Sequence, residues 1–404
     1  MLKDKSEARP MRILVVQESD WLERGPHQSH HLMERLAQEG NEVRVIDFQI
    51  DWKKNRKQGI ISSLMVKTNV QKVLPPGVTV LRPPIIRLPL LSYLSLIISH
   101  HRAIRREIRD HRPDVIIGFG LLNSRIAIIQ GRRQGIPFVY YIIDELHRLV
   151  PEGLLQPFAR NVEKGNYKLS TRVVSINEAL MEYCEEMGAD PSKSTIIRAG
   201  VDFYRFANAN GSEVRKRFGF TEQDTVLFFM GWLYGFSGLD VVAMELAKSG
   251  NKNLKMLILG KGELTNRLQE IVTKENLGNR VIIEDWKPYS EVPNYLAAAD
   301  ICLLPAKHIR LMENIVPIKM YEYLAAGKVV FASDLYGVHK EFGEGNGVIY
   351  IHDQKDVIPQ ANDLITKGIV KLEGQKGQNF VKSSDWSLMT KQFEQLLEEV
   401  IRSS

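Results

Sequence analysis

Between Glu313 and Ser333 the chain reads ENIVPIKMYEYLAAGKVVFAS, the segment of this 404-residue sequence best suited to chemistry. Pro317 fits a first helical position and Gly327 fits just past a helix end, so the spacing predicts a helix of about three turns. Lys319 and Glu322, three apart, share one face of that helix. Its N-terminus would direct unpaired N–H groups and a partial positive charge outward, which suits a diphosphate. A carboxylate one turn in can accept hydrogen bonds from both hydroxyls of a ribose. A Lys/Glu pair at this spacing is also the pattern of a surface ion pair, and the residues alone leave both readings open.

Other candidates carry less. The LGKGEL turn, with Gly260 and Gly262, suits either a nucleotide loop or a tight strand-to-helix turn. The ERGPHQSHH stretch holds Gly25 and three histidines, His27, His30 and His31, but no Cys or carboxylate spacing completes a metal set. One of these histidines is expected to hydrogen-bond an acceptor or a sugar. No metal site is expected elsewhere. The two cysteines, Cys184 and Cys302, imply no disulfide framework. No carboxylate pair of the glycosidase kind stands out.

These residues need elements to position them. MRILVV from Met11, a loop around Gly25, the helix pattern HHLMERLAQEG and EVRVID form a βαβ unit, which favours a parallel sheet. PDVIIGFG, PFVYYIID, RVVSIN and STIIRAGVD continue the series. A second series runs from DTVLFFMG through LKMLILGKG, RVIIED, DICLLPA, KVVFAS and GVIYI. The reading is α/β, with two doubly wound Rossmann-like domains at 1–205 and 206–380. Their junction is placed near 203–213, with FANANGSE as linker. Residues 381–404 form a C-terminal helix expected to pack back on the first domain. Ligands of open α/β sheets bind beyond the carboxyl ends of the strands, so two such domains are expected to enclose a cleft.

Composition narrows the class. With 44% hydrophobic and 25% charged residues the chain is of the soluble globular type. Its first residues lack the apolar core of a secretory signal, and the longest near-apolar run, Leu88 to Ile98, is half of what a spanning helix needs. A cytoplasmic protein is expected. The net charge of +6 is concentrated in residues 51–112, where basic residues interleave with Ile, Leu, Tyr and Pro. That mixture suits peripheral contact with an anionic membrane, and equally a helix with a solvated basic face. Nucleic acid is not expected as a partner, since no recognition motif accompanies the charge.

The Glu322 segment resembles the signature of retaining glycosyltransferase family four, the group 1 glycosyl transferases of GT-B architecture. The resemblance spans nearly the whole chain, through GVD…F at Gly200, Val201, Asp202 and Phe206, MGWLYGFSG, LGKGEL, RVIIEDW, AADICLLPA and the Glu322 helix. It implies that Glu322 binds the donor ribose. The family's first acidic position, eight residues earlier, is Asn314 here, with Glu313 beside it. The preceding loop would meet the sugar and phosphates, with Ile315 and Val316 as backbone donors. The family's Arg and Lys diphosphate clamp would fall at Trp232 and Ser237, after Gly231, and neither is charged. Lys319, Arg310 and Lys307 are the candidate replacements, and Gly231, Gly235 and Gly238 allow close backbone approach. Trp286 falls beside the base, where stacking or interdomain packing would occupy it. The Gly25 turn approaches the donor phosphate or the acceptor. The family's His-Asp pair reads Ile143 and Asp144 here, so Asp144 and His147 become the candidates for sugar or acceptor contact, with helix capping the other reading of Asp144.

The resemblance implies a retaining, metal-independent transferase. It would move a hexose-type sugar from a nucleotide diphosphate sugar to a glycan or lipid-linked acceptor, with no cofactor beyond that donor. Two other readings are a nucleotide-sugar epimerase or phosphorylase on the same architecture and, given the missing clamp, a non-catalytic nucleotide-sugar-binding scaffold.

Overall fold

The computed structural model describes residues 9–49, 59–88 and 91–404. The chain forms two compact units, Met1–Arg198 with Ser387–Ser404, and Ala199–Trp386. They divide ahead of the polar stretch read as a linker. Phe203–Ala207 and Ser212–Phe218 are helices of the second unit, anchored by the buried Phe203 and Phe206. The polar residues between them only turn one helix into the next, with Asn210 Oδ1 accepting from the Ser212 N–H at 2.9 Å.

The first unit holds β1 (Arg12–Val16), β2 (Glu42–Ile46), β3 (Met65–Val70), β4 (Val78–Arg82), β5 (Val115–Gly118), β6 (Phe138–Ile142), β7 (Arg172–Ser175) and β8 (Ser194–Ile196). Their order is β3-β4-β2-β1-β5-β6-β7-β8, and all neighbours are parallel except the β3–β4 hairpin. That hairpin escaped the sequence reading because β3 is an exposed edge strand, MVKTNV, with no buried alternating face to signal it. The C-terminal helix Trp386–Arg402 belongs to this unit from Ser387 onward. Phe393 packs edge-on against Tyr141 at 5.3 Å, and Asn41 donates to Glu394 Oε1 at 3.1 Å.

The second unit holds β9 (Thr225–Met230), β10 (Leu254–Leu259), β11 (Val281–Glu284), β12 (Ile301–Leu304), β13 (Val329–Ser333) and β14 (Val348–Ile351). All are parallel, in the order β11-β10-β9-β12-β13-β14. The near-continuous apolar runs TVLFFM and VVFAS fit strands covered on both faces. Strand order reverses between β9 and β12, the point where such sheets bind ligands beyond the carboxyl ends.

The helix after β12 is shorter than the spacing suggested. It runs Ile318–Ala325, and Pro317 caps it with extended ψ of 134°. Gly327, at φ +69°, ends it, and the Lys328 N–H returns to Tyr323 O at 3.2 Å.

Candidate functional site

The loop after β9 lies at the strand-order reversal. The Lys307 N–H, just past β12, donates to Phe236 O at 2.7 Å. A Cβ on Gly238, at φ +72°, would lie 2.1 Å from Pro305 O, so the two loops meet through bare backbone.

Lys319 reaches this point from the first turn of helix Ile318–Ala325. Its ammonium donates to Met230 O at 2.8 Å and lies 4.4 Å from the centroid of the Phe229 ring. At the next residue, Gly231, a Cβ would fall 2.7 Å from Lys319 Nζ. Lys319 makes no ion pair among the described residues. Burial pulls its ammonium down to about 8, against the opposing charge of Glu322.

Glu322, one turn on, is 5% exposed and accepts from the Tyr289 hydroxyl at 2.7 Å. Burial pushes its carboxyl up to about 7; the Tyr289 bond and the Lys319 charge pull it down, while Asp202 adds to the rise. Arg205 sits 5.0 Å from the Tyr289 ring centroid and donates to the Tyr289 carbonyl at 3.3 Å. Tyr289 and Arg205 were missed by sequence reasoning, because neither belongs to a motif. A buried Glu322 calls for a donor, but nothing in the sequence says which residue supplies it.

The loops carry the remaining candidates of this unit. Trp232 and Trp286 meet edge to face at 5.5 Å, with Trp286 39% exposed. Ser237 is buried, and its hydroxyl has no partner among the described residues. Gly260, at φ +149°, serves loop packing: a Cβ there would lie 2.0 Å from Gly231 O. The Glu313 carbonyl accepts from the Gly337 N–H at 2.6 Å, and a Cβ on Gly337 would strike the Asn314 backbone at 2.7 Å. The expected pair of backbone donors is reduced to one. The Ile315 N–H is taken by Met312 O at 3.3 Å because Arg310–Met312 forms a short helical turn, whereas the Val316 N–H has no acceptor among the described residues.

Gly25, Asp144 and His147 belong to the first unit, beyond the carboxyl ends of β1 and β6. Gly25 has φ +94°, and a Cβ there would lie 2.7 Å from the His30 ring. His30 is a structural residue: its Nδ1 accepts from the His27 N–H at 3.1 Å, its Nε2 faces Trp21 O at 3.2 Å, and its ring lies 4.0 Å from that of Trp21. Burial pulls it down to about 3. The His31 Nδ1 faces Arg35 at 3.2 Å. No group of three or more His, Cys, Asp or Glu placed to hold a metal occurs among the described residues.

Asp144 is half-buried, with no hydrogen-bond partner among the described residues; burial, then Glu145, pushes its carboxyl up to about 7. His147 is held firmly. Its Nδ1 lies 2.9 Å from Glu163 Oε2 and 2.9 Å from the Tyr183 hydroxyl, and its N–H donates to Glu163 at 3.0 Å. Glu163, fully buried, also accepts from Tyr167 and Tyr183, each at 2.9 Å.

Comparison with known proteins adds an independent line. Residues 211–384 match the family described as "Glycosyl transferases group 1", and residues 28–205 match "Glycosyltransferase Family 4". The chain is 25% identical over 261 residues to the UDP-Gal:alpha-D-GlcNAc-diphosphoundecaprenol alpha-1,3-galactosyltransferase of Escherichia coli, covering 61% of this chain and 64% of that enzyme. The alignment thus spans less than two thirds of that relative. Among solved structures, Anabaena HepE in complex with UDP and glucose superposes with a TM-score of 0.72 at 16% identity, covering 96% of this chain and all of that one. Sucrose-phosphate synthase from Thermosynechococcus elongatus superposes with a TM-score of 0.75 at 14% identity, covering 97% and 100%.

Proposed function

Because the chain belongs to the group 1, family 4 glycosyltransferases and has their GT-B fold, we propose that it moves a hexose-type sugar from a nucleotide diphosphate donor to a glycan or lipid-linked acceptor. Transfer proceeds with retention and without a metal ion or cofactor.

One observation supports this reading most directly. The Lys319 ammonium stands at the carboxyl end of β9, beside the glycine that precedes Trp232. Trp232 and Ser237 leave the family's clamp positions uncharged, and Lys319 brings a cation to the same loop from another element. This weighs against the scaffold reading, which drew its support from the missing charge. In this reading Glu322, on the same helix face, accepts from the donor ribose in its ionised form. The Trp232–Trp286 pair offers an aromatic surface for the base.

In the transfer, the acceptor oxygen bonds to the anomeric carbon as the bond from that carbon to the diphosphate oxygen breaks. The acceptor proton passes to the leaving diphosphate on the same face. Lys319 stabilises the charge that develops there, so catalysis rests on orientation and electrostatics. Asp144 and His147 make the sugar or acceptor contacts. Given the names of the Escherichia coli relative and of the HepE complex, UDP-sugars are the donors to test first.

Membrane contact through 51–112 belongs to the same proposal, although residues 51–58, 89 and 90 lie outside those described. Helix Leu91–His111 exposes Leu91, Leu94, Ile97 and Ile98 in its first turns and Arg102, Arg105, Arg106 and Arg109 after them. Ile60, Ile61 and Leu64 are exposed as well, and Ile61 bridges to Ile86. A basic face alone would be solvated; exposed aliphatic residues beside it suit an anionic lipid surface. No helix among the described residues is long and apolar enough to cross a membrane.

The test is a transfer assay with UDP-sugars and a polyprenyl-diphosphate sugar acceptor, with and without chelator. Product with the retained anomeric configuration in the presence of chelator supports the proposal. An inverted product, or activity lost on chelation, refutes the corresponding part.

A further inference from the structure

A groove of about 790 Å³ opens on the first unit at the amino ends of its strands, away from Gly25, Asp144 and His147. Five arginines line it, Arg12, Arg105, Arg109, Arg112 and Arg133, and no Asp or Glu does. Its two walls are tied together, since Gln130 in helix Leu122–Arg132 donates to His101 O in helix Leu91–His111 at 3.0 Å.

The charges do not balance. Arg12 is paired with Asp114 at 2.8 Å and Arg109 with Asp110 at 2.7 Å. Arg105, Arg112 and Arg133 form no ion pair among the described residues. Basic side chains near a helix C-terminus normally answer the helix dipole, and two helices end here. Each end contributes about half a negative charge, which offsets one of the three arginines and leaves about two positive charges. A phosphate monoester carries about −1.5 to −2 near neutral pH. Guanidinium forks also match phosphate oxygens in geometry.

Arg112 gives a second sign. It sits at φ +46°, directly after the helix, with its N–H bonded to Ile108 O at 3.2 Å. Glycine is the strain-free residue at such a cap, so the arginine is held there against a backbone cost.

We infer that this groove binds a phosphate monoester group, on a soluble molecule or on a lipid headgroup, separately from the nucleotide-sugar site. The same helix exposes Leu91, Leu94 and Ile98 a few turns earlier, which gives a lipid-borne phosphate a place for its chains. The inference does not rest on the transfer reading.

The test uses the full chain and two probes: glycerol 3-phosphate by calorimetry, and phosphatidylcholine vesicles with or without phosphatidic acid by co-sedimentation. The groove variant combines R112G, which suits that backbone, with R133A. The control, K252A with K274A, removes equal charge from exposed positions of the second unit, outside the groove. The groove variant should bind glycerol 3-phosphate at least about tenfold more weakly, and the control within about twofold of the parent chain. UDP-sugar binding should be unchanged in both, whichever way the transfer proposal fares. Sedimentation with phosphatidic acid vesicles, lost in the groove variant, assigns a lipid source. Binding of glycerol 3-phosphate without sedimentation assigns a soluble one. Failure of the parent chain to bind either probe, or equal loss in both variants, overturns the inference.

Discussion

Lys319 and Gly231 are adapted to each other: a Cβ at Gly231 would stand 2.7 Å from Lys319 Nζ, at a backbone φ of +132° that other residues rarely adopt. The absent side chain is what lets a lysine from a later helix reach the carboxyl end of β9. Gly231→Ala should therefore strain the loop and displace the ammonium together. Transfer activity should fall by more than the loss of folded protein explains, as measured by activity per folded molecule after thermal titration.

Removing the charge itself gives the next prediction. Lys319→Met keeps the stem over Phe229 and loses only the cation. The turnover number should drop by about 10² to 10³, the scale for losing one group that stabilises developing charge, while donor affinity falls less. Steady-state kinetics with saturating donor separate the two.

The pH dependence of donor binding follows from the two shifted groups. Glu322 accepts ribose hydroxyls best when ionised, and its carboxyl is pushed up to about 7, so affinity should rise with pH through about 7. Lys319 is pulled down to about 8, so affinity should fall as pH rises through about 8. Calorimetry across this range should give a maximum between the two values, and Glu322→Gln should flatten the acid limb and move the alkaline limb to lower pH, because the Glu322 charge holds the Lys319 ammonium up.

Glu322 should also cost stability. Its folded-state carboxyl titrates above the usual carboxylate range, so the stability present at low pH is lost as pH rises through about 7. Glu322→Gln keeps an acceptor for Tyr289 and removes the buried charge. Its melting temperature at pH 8 should exceed that of the parent chain, with the difference vanishing near pH 4, where Glu322 is protonated in both folded and unfolded chains.

The sequence reached the fold and one end of this site for definite reasons. Strands such as Thr225–Met230 are apolar along their whole length and helices alternate with them, so two parallel sheets were legible. Lys319 and Glu322 were legible because they lie three apart on one helix. Tyr289 and Arg205 were not, since the Glu322–Tyr289 bond joins residues 33 apart that only the packed loops bring together. The histidines after Gly25 drew the eye for chemistry, yet His30 is held between the Trp21 ring and the His27 N–H, a burial that composition does not reveal.

The central claim, a nucleotide diphosphate sugar held by the Lys319 and Glu322 face, is tested most directly by binding of UDP-sugars to the parent chain and to Glu322→Ala. The account predicts saturable binding without metal, weakened in the variant by about 2 to 4 kcal/mol, with the fold unchanged by circular dichroism. Equal affinity in both proteins would place the donor elsewhere and contradict the account.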